Sequence, residues 1–184
     1  MSRRFLLLAA IAVGGRLSVV EAQRDRKTVT VKVRVNSQAS GYEGWRAMDG
    51  NPSTMWHTYW GPGETSHPHE IVVDLGRPYD LLGFTCVPRP YATRNGTIGK
   101  YRLTVGNAPG EDGQVAAAGE LSSATGENRI LFPEPVRGRY LRMQALSEIN
   151  GRPWASIAEF QPIAVGGIRF RADPSAPILL PGQV

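Results

Sequence analysis

Thr28-Val-Thr-Val-Lys-Val-Arg-Val35 alternates without a break, with Val29, Val31, Val33 and Val35 on one face and Thr28, Thr30, Lys32 and Arg34 on the other. Successive side chains of a strand point to opposite sides, so this run reads as a strand with one face in a core and one in water. Shorter strand candidates follow at 70–75, 81–87, 100–105, 129–132, 139–145 and 156–163, separated by Gly, Pro and Asn, with no long stretch of helical period. Short strands spaced by turn signals imply an all-β fold, a sandwich of two sheets. No internal repeat, heptad or low-complexity tract interrupts that pattern.

The chain has 184 residues. Its opening Met-Ser-Arg-Arg, followed by the apolar run Phe5-Leu-Leu-Leu-Ala-Ala-Ile-Ala-Val13, has the form of a secretory signal peptide over 1–22, with a cut after Ala22. That run is shorter than the ~20 apolar residues needed to cross a bilayer, so no transmembrane segment is expected. The expected organisation is a signal peptide at 1–22, one β domain at 23–163, and a short strand and flexible Pro-rich tail at 164–184, with no hydrolase attached. The expected setting is secreted, periplasmic or extracellular. Of the formal charge of +5, part belongs to Arg3, Arg4 and Arg16 in the leader, and the remaining weak excess forms no basic stripe of the kind nucleic acid requires. Cys86 is the only cysteine, so no intrachain disulfide is available, and its place in the apolar run 81–87 implies a buried, inert thiol.

Function is concentrated in the turns. Asp49-Gly-Asn-Pro-Ser-Thr-Met-Trp-His-Thr-Tyr-Trp60 brings a carboxylate, a histidine and two tryptophans into one loop-like segment, and Pro88-Arg89 and Asn95-Gly96 follow. A planar ring beside a few fixed donors and acceptors suits a sugar, which has an apolar face of C–H groups and a rim of hydroxyls.

These residues also carry a resemblance. From about Val33 to Ile163 the chain resembles a discoidin domain, the coagulation factor V/VIII type C domain, and most closely its carbohydrate-binding branch, the family 32 carbohydrate-binding modules. The matching pieces stand in the family's order: Ala47 to Thr58, Pro68-His-Glu-Ile-Val-Val-Asp-Leu-Gly76, Gly83-Phe-Thr-Cys-Val-Pro-Arg89, Asn95-Gly, Arg139-Tyr-Leu-Arg142, and Leu146 to Glu159. The resemblance implies a discoidin-like jelly roll, galactose-binding-domain-like, with ligand loops at one end.

It also implies roles. His57, Arg89 and Asn95 would contact the hydroxyls of a terminal galactose-like sugar, Trp60 and Trp154 would supply apolar surface, and Glu43 would accept a hydroxyl proton. Arg89 offers a fork of donors, Asn95 a donor and an acceptor, and His57 a ring nitrogen. These side chains are expected on the rim, whereas Trp56 is expected in the core. Arg94 is a rival for the role of Arg89, and Asn95-Gly-Thr97 also fits a glycosylation sequon. A structural Ca²⁺ is implied between the Asp49 loop and the closing segment, held by the carboxylates of Asp49 and Glu159, by Thr54, and by carbonyls near Ala47, Asn51 and Ala158. His67 and His69 provide only two imidazoles and are read as structural rather than as a zinc site.

The function that follows is a secreted, non-catalytic module for glycans ending in galactose or N-acetylgalactosamine, with a cell-surface glycoconjugate or polysaccharide as partner. The alternative is an adhesion module that binds phospholipid or a surface protein. No nucleophile elbow, zincin helix or catalytic carboxylate pair is apparent, and pairing Glu43 with Glu70 has no motif behind it.

Overall fold

The computed structural model describes residues 27–122, 124–176 and 178–179; the leader read over 1–22 lies outside them. Along the described residues run β1 (Thr28–Val35), a 3₁₀ turn (Gly44–Met48), β2 (Trp56–His57), β3 (His69–Val87), β4 (Lys100–Gly106), β5 (Gln114–Glu120), β6 (Asn128–Ala145), β7 (Ser156–Ile157), β8 (Glu159–Ala164), β9 (Arg169–Ala172) and β10 (Ile178–Leu179). The fold is a discoidin-like β-sandwich. Among the described residues no helix is long and apolar enough to cross a membrane.

β1 behaves as its alternation requires: Val31, Val33 and Val35 are buried, while Thr28, Thr30 and Lys32 face water. It pairs antiparallel with β3 from Lys32↔Asp74 to Val35↔Ile71, and parallel with β9 from Thr28↔Arg169 to Val31↔Ala172.

Two pairs of expected strands are each one long strand. The runs at 70–75 and 81–87 join as β3, whose register against β6 shifts between Asp74 and Tyr79 and again between Leu81 and Gly83. Gly76, at φ +79°, turns the chain there, and its N–H donates to Asp74 Oδ1 at 2.8 Å. Such a bulge bends a strand without ending it. The runs at 129–132 and 139–145 likewise join as β6, and Pro133 and Pro135 fall where the ladder to β3 is interrupted between Leu131 and Val136. Proline is tolerated there because no ladder N–H is needed. The first half of β3 therefore lies between β1 and β6, and the second half between β6 and β8.

Three further elements depart from expectation. β5 was not anticipated, because Gln-Val-Ala-Ala-Ala-Gly-Glu has little β-propensity; it pairs with β4 at the edge of the sheet. The run at 156–163 breaks at Ala158 into β7, which pairs with β2, and β8, which pairs with β3. Within the segment expected as a flexible tail, β10 pairs in parallel with Arg34 and Val35, so backbone hydrogen bonding anchors the chain there.

Between the layers lie Met48, Trp56, Phe84, Leu103, Leu141, Phe160 and Phe170, all fully buried. Phe84 packs 5.5 Å from both Tyr101 and Phe160, and Tyr79 meets Phe170 edge-on at 5.2 Å. Cys86 is part of this core, and burial pushes its thiol up to about 12, so it stays protonated and unreactive.

Candidate functional site

At one end of the sandwich the two-stranded ladder of β2 and β7 places His57 opposite Ser156. The ring of His57 lies 4.7 Å from Trp60, 6.2 Å from Tyr42 and 6.3 Å from Trp154. Expected on the rim, His57 is instead only 4% exposed and sits on the floor of the site. Its Nδ1 is 2.7 Å from the Thr58 carbonyl, which can only accept, so Nδ1 carries the proton and Nε2 presents a lone pair. Burial lowers the imidazole pKa, and the nearby Arg89 lowers it further against the opposing Thr58 bond, so the neutral ring is favoured.

Gly96 shapes the approach to that lone pair. It takes φ +81°, and a Cβ there would come within 3.1 Å of His57 Nε2 and 2.9 Å of Ser156 Oγ. The Asn95 carbonyl accepts from Arg89 Nη1 at 2.6 Å and from Ser156 Oγ at 3.2 Å, pinning the loop to β7. The Asn95 side chain makes no hydrogen bond among the described residues and is half-buried. Arg89 is also half-buried; its Nε is buried without a partner, and its Cζ lies 5.2 Å from the Tyr91 ring. Burial lowers the guanidinium pKa, the nearby Tyr42 and Tyr91 oppose that shift, and an arginine remains charged regardless. The rival Arg94 is exposed, takes φ +52°, and makes none of these contacts.

Apolar walls complete the site. Trp60 is 43% exposed and is braced edge-on by Tyr42 at 5.2 Å as well as by His57. Trp154 Nε1 donates to Glu64 Oε2 at 2.6 Å, which fixes the indole. The loop beneath Trp154 is held by the two histidines read as structural. His67 Nδ1 and Nε2 lie 3.0 and 3.2 Å from the carbonyls of Ala145 and Arg152, and His69 Nε2 lies 2.6 Å from that of Pro153.

Among the expected contacts, His57, Arg89, Asn95, Trp60 and Trp154 thus cluster. Glu43 is committed to its own loop: Oε1 accepts from the Gly41 N–H and Oε2 from Arg46 Nε, each at 2.7 Å. Its neighbour Tyr42 packs on Trp60 and His57 and was missed, although it lies in the same short run. Glu70 bonds Arg142 and Gln144 on β6.

Beside this site the Asp49 loop closes on itself. Asp49 Oδ1 accepts from the Asn51 N–H at 2.8 Å, and Thr54 Oγ1 lies 2.6 Å from Asp49 Oδ2 and 2.8 Å from the Asn51 carbonyl. Arg171 on β9 donates from Nε and Nη2 to the Asp49 carbonyl at 2.9 and 2.6 Å. Glu159 comes in from β8, 8% exposed, with Oε1 buried and unpartnered. Burial pushes its carboxyl up to about 7, and the neighbouring Asp49 adds to the rise. Two carboxyl groups meeting with an orphaned oxygen, beside a hydroxyl, form a hard-oxygen donor set that fits a divalent cation such as Ca²⁺. The flanking Ala47 and Ala158 are fully buried. Among the described residues no group of three or more His, Cys, Asp or Glu side chains is arranged to hold a metal, so such an ion would draw on carbonyls and Thr54 as well.

The F5/8 type C domain profile matches residues 32–160. The chain is 34% identical over 128 residues to a galactose oxidase of Gibberella zeae and 35% identical over 132 residues to a sialidase of Micromonospora viridifaciens. Each match covers 69% of this chain but only 19% and 20% of those proteins, so the chain spans about a fifth of their length. Among solved structures it resembles the family 32 carbohydrate-binding module of C. perfringens NanJ in complex with galactose, at 28% identity and a TM-score of 0.63, covering 72% of this chain and 92% of that one. It also resembles a Clostridium perfringens family 32 module in complex with GalNAc-β-1,3-galactose, at 28% identity and a TM-score of 0.66, covering 73% of this chain and 95% of that one.

Proposed function

The chain belongs to the F5/8 type C domain family, and from that membership we propose that it is a secreted, non-catalytic carbohydrate-binding module for glycans ending in galactose or N-acetylgalactosamine. The carrying observation is that the fold brings the His57 Nε2 lone pair, the Arg89 guanidinium and the loop of Asn95 together beside half-exposed Trp60. Neutral His57 accepts a sugar hydroxyl proton, Arg89 donates to adjacent or ring oxygens, Asn95 does either, and Trp60 covers the apolar face. The two similar family 32 modules solved with galactose and with GalNAc-β-1,3-galactose support the choice of sugar. The activities named for the longer relatives are not carried over to this chain, whose two conspicuous carboxylates, Glu43 and Glu70, are both engaged in protein hydrogen bonds. A glycan array tests the reading: selective signal on galactose-terminated structures is expected. A blank array with binding to anionic liposomes would replace it with the adhesion alternative.

The same reading assigns Ca²⁺ to Asp49, Glu159, Thr54 and the carbonyls of Ala47, Asn51 and Ala158. The ion would supply positive charge to the paired carboxylates and fix the loop that leads into His57. In metal-free protein Glu159 holds its proton up to about 7 when folded, but releases it from about 4.5 when unfolded. The folded state then binds more protons than the unfolded one across that window, so stability falls as pH rises through it and is level above. Melting curves in chelator should decline from about pH 4.5 to about 7, and Ca²⁺ at neutral pH should restore the loss. Glu159→Gln should flatten both responses. Identical chelated and Ca²⁺-loaded melts of the parent would rule the ion out.

A further inference from the structure

Tyr91 is not explained by contacts to a single sugar. It is 49% exposed, among the more exposed aromatic side chains of the described residues, although it follows directly on the segment that supplies Arg89. Its position is well defined. The Arg94 N–H donates to the Tyr91 carbonyl at 3.1 Å and the Thr97 N–H to the Arg94 carbonyl at 3.0 Å, so two successive turns shape the loop, and Arg89 and Ser156 tie it down at the Asn95 carbonyl. The Arg89 Cζ braces the ring from one side at 5.2 Å. A tyrosine held in this way presents a flat apolar surface that needs little ordering on binding, since it has only two side-chain torsions to fix.

Trp60 has the same construction. At 43% exposed, it is braced by His57 and Tyr42 as Tyr91 is by Arg89. Arg89 lies within electrostatic range of His57 and Tyr42, which brace Trp60, and its Cζ is 5.2 Å from the Tyr91 ring, so one guanidinium neighbours both aromatic groups. A pyranose offers its C–H face to one ring at a time while its hydroxyls take the polar groups. In the reading above, one sugar against Trp60 takes His57, Arg89 and Asn95, and Tyr91 has no part in it.

We propose that Tyr91 is a second stacking platform and that the ligand is at least a disaccharide, its terminal galactose-type residue against Trp60 and the next sugar against Tyr91. This rests on the sugar-binding reading above. The role is assigned to the half-exposed ring, the surface on which a sugar can stack.

Calorimetric titration of the full chain with N-acetylgalactosamine and with GalNAc-β-1,3-galactose tests it. The parent should bind the disaccharide about three- to tenfold more tightly, the scale of one added aromatic contact. Tyr91→Ala should erase that gain, leave N-acetylgalactosamine affinity within about twofold and keep the parent's melt, since the side chain is outside the core; Tyr91→Phe should retain the gain. Equal affinity of the parent for both sugars, an undiminished gain in Tyr91→Ala, or an equal loss on both sugars would overturn the proposal, the last by assigning Tyr91 to the support of Arg89. A parent that binds neither sugar overturns the sugar-binding reading itself, and this inference with it.

Discussion

Replacing Arg89 with alanine should weaken binding of galactose or N-acetylgalactosamine at least about tenfold while the protein remains folded. A hydrogen bond to a charged group in a partly desolvated contact contributes about 1.5–3 kcal/mol, so one lost bond suffices for that factor. The structure adds a second contribution. Arg89 Nη1 also holds the Asn95 carbonyl at 2.6 Å, so the variant loses a donor to the sugar and loosens the loop that presents Asn95 and Gly96. Arg89→Lys should rescue poorly, because a single ammonium cannot reproduce the planar fork that serves the carbonyl and a ligand together. Titration calorimetry on His57→Ala, Arg89→Ala and Asn95→Ala is the measurement. If all three bind a confirmed glycan like the parent, the ligand sits elsewhere. His57→Ala needs a parallel melt, since a buried ring contributes to stability as well as to recognition.

The larger effect on stability belongs to Trp56. Its side chain is 0% exposed, and its Nε1 donates to the Ser37 carbonyl at 2.9 Å across 19 residues of chain. Trp56→Ala should cost about 3–5 kcal/mol, the usual range for a large aromatic deleted from a core, and should leave the Ser37 carbonyl without its partner. Urea denaturation reads this directly. Trp60→Ala, four residues on, should leave the midpoint nearly unchanged and reduce glycan affinity. Two similar losses of stability would show that Trp60 is structural rather than a sugar platform.

The valine alternation of β1 was legible because it depends on a local pattern, whereas His57, Arg89 and Asn95 were singled out through the family resemblance, and the fold brings them near one another. What escaped depended on distance. Gly76-Arg-Pro and Pro133-Glu-Pro read as turns, yet pairing along the neighbouring strand carries β3 and β6 through them as bends. The alanines of β5 give no strand signal, and only the edge of β4 recruits them. The burial of His57 could not be anticipated because its walls, Tyr42, Trp60 and Trp154, come from separate segments that meet only on folding. Glu64 reaching Trp154 across 90 residues, and Arg171 reaching Asp49 across 122, have no sequence signature.

That last contact bears on how the protein can be cut and reused. The family profile stops at residue 160, but β9 lies beyond it. Phe170 is buried against Tyr79, Arg171 grips the Asp49 carbonyl, and the strand covers one edge of β1. A fragment trimmed to the profile, 32–160, would lose a core ring and the Arg171 grip on the Asp49 loop, and the cut inside β8 would bare backbone donors and acceptors of β3 open to pairing with another copy. The transplantable unit for a fusion or a probe therefore runs past the boundary its family suggests, through Ala172 at least.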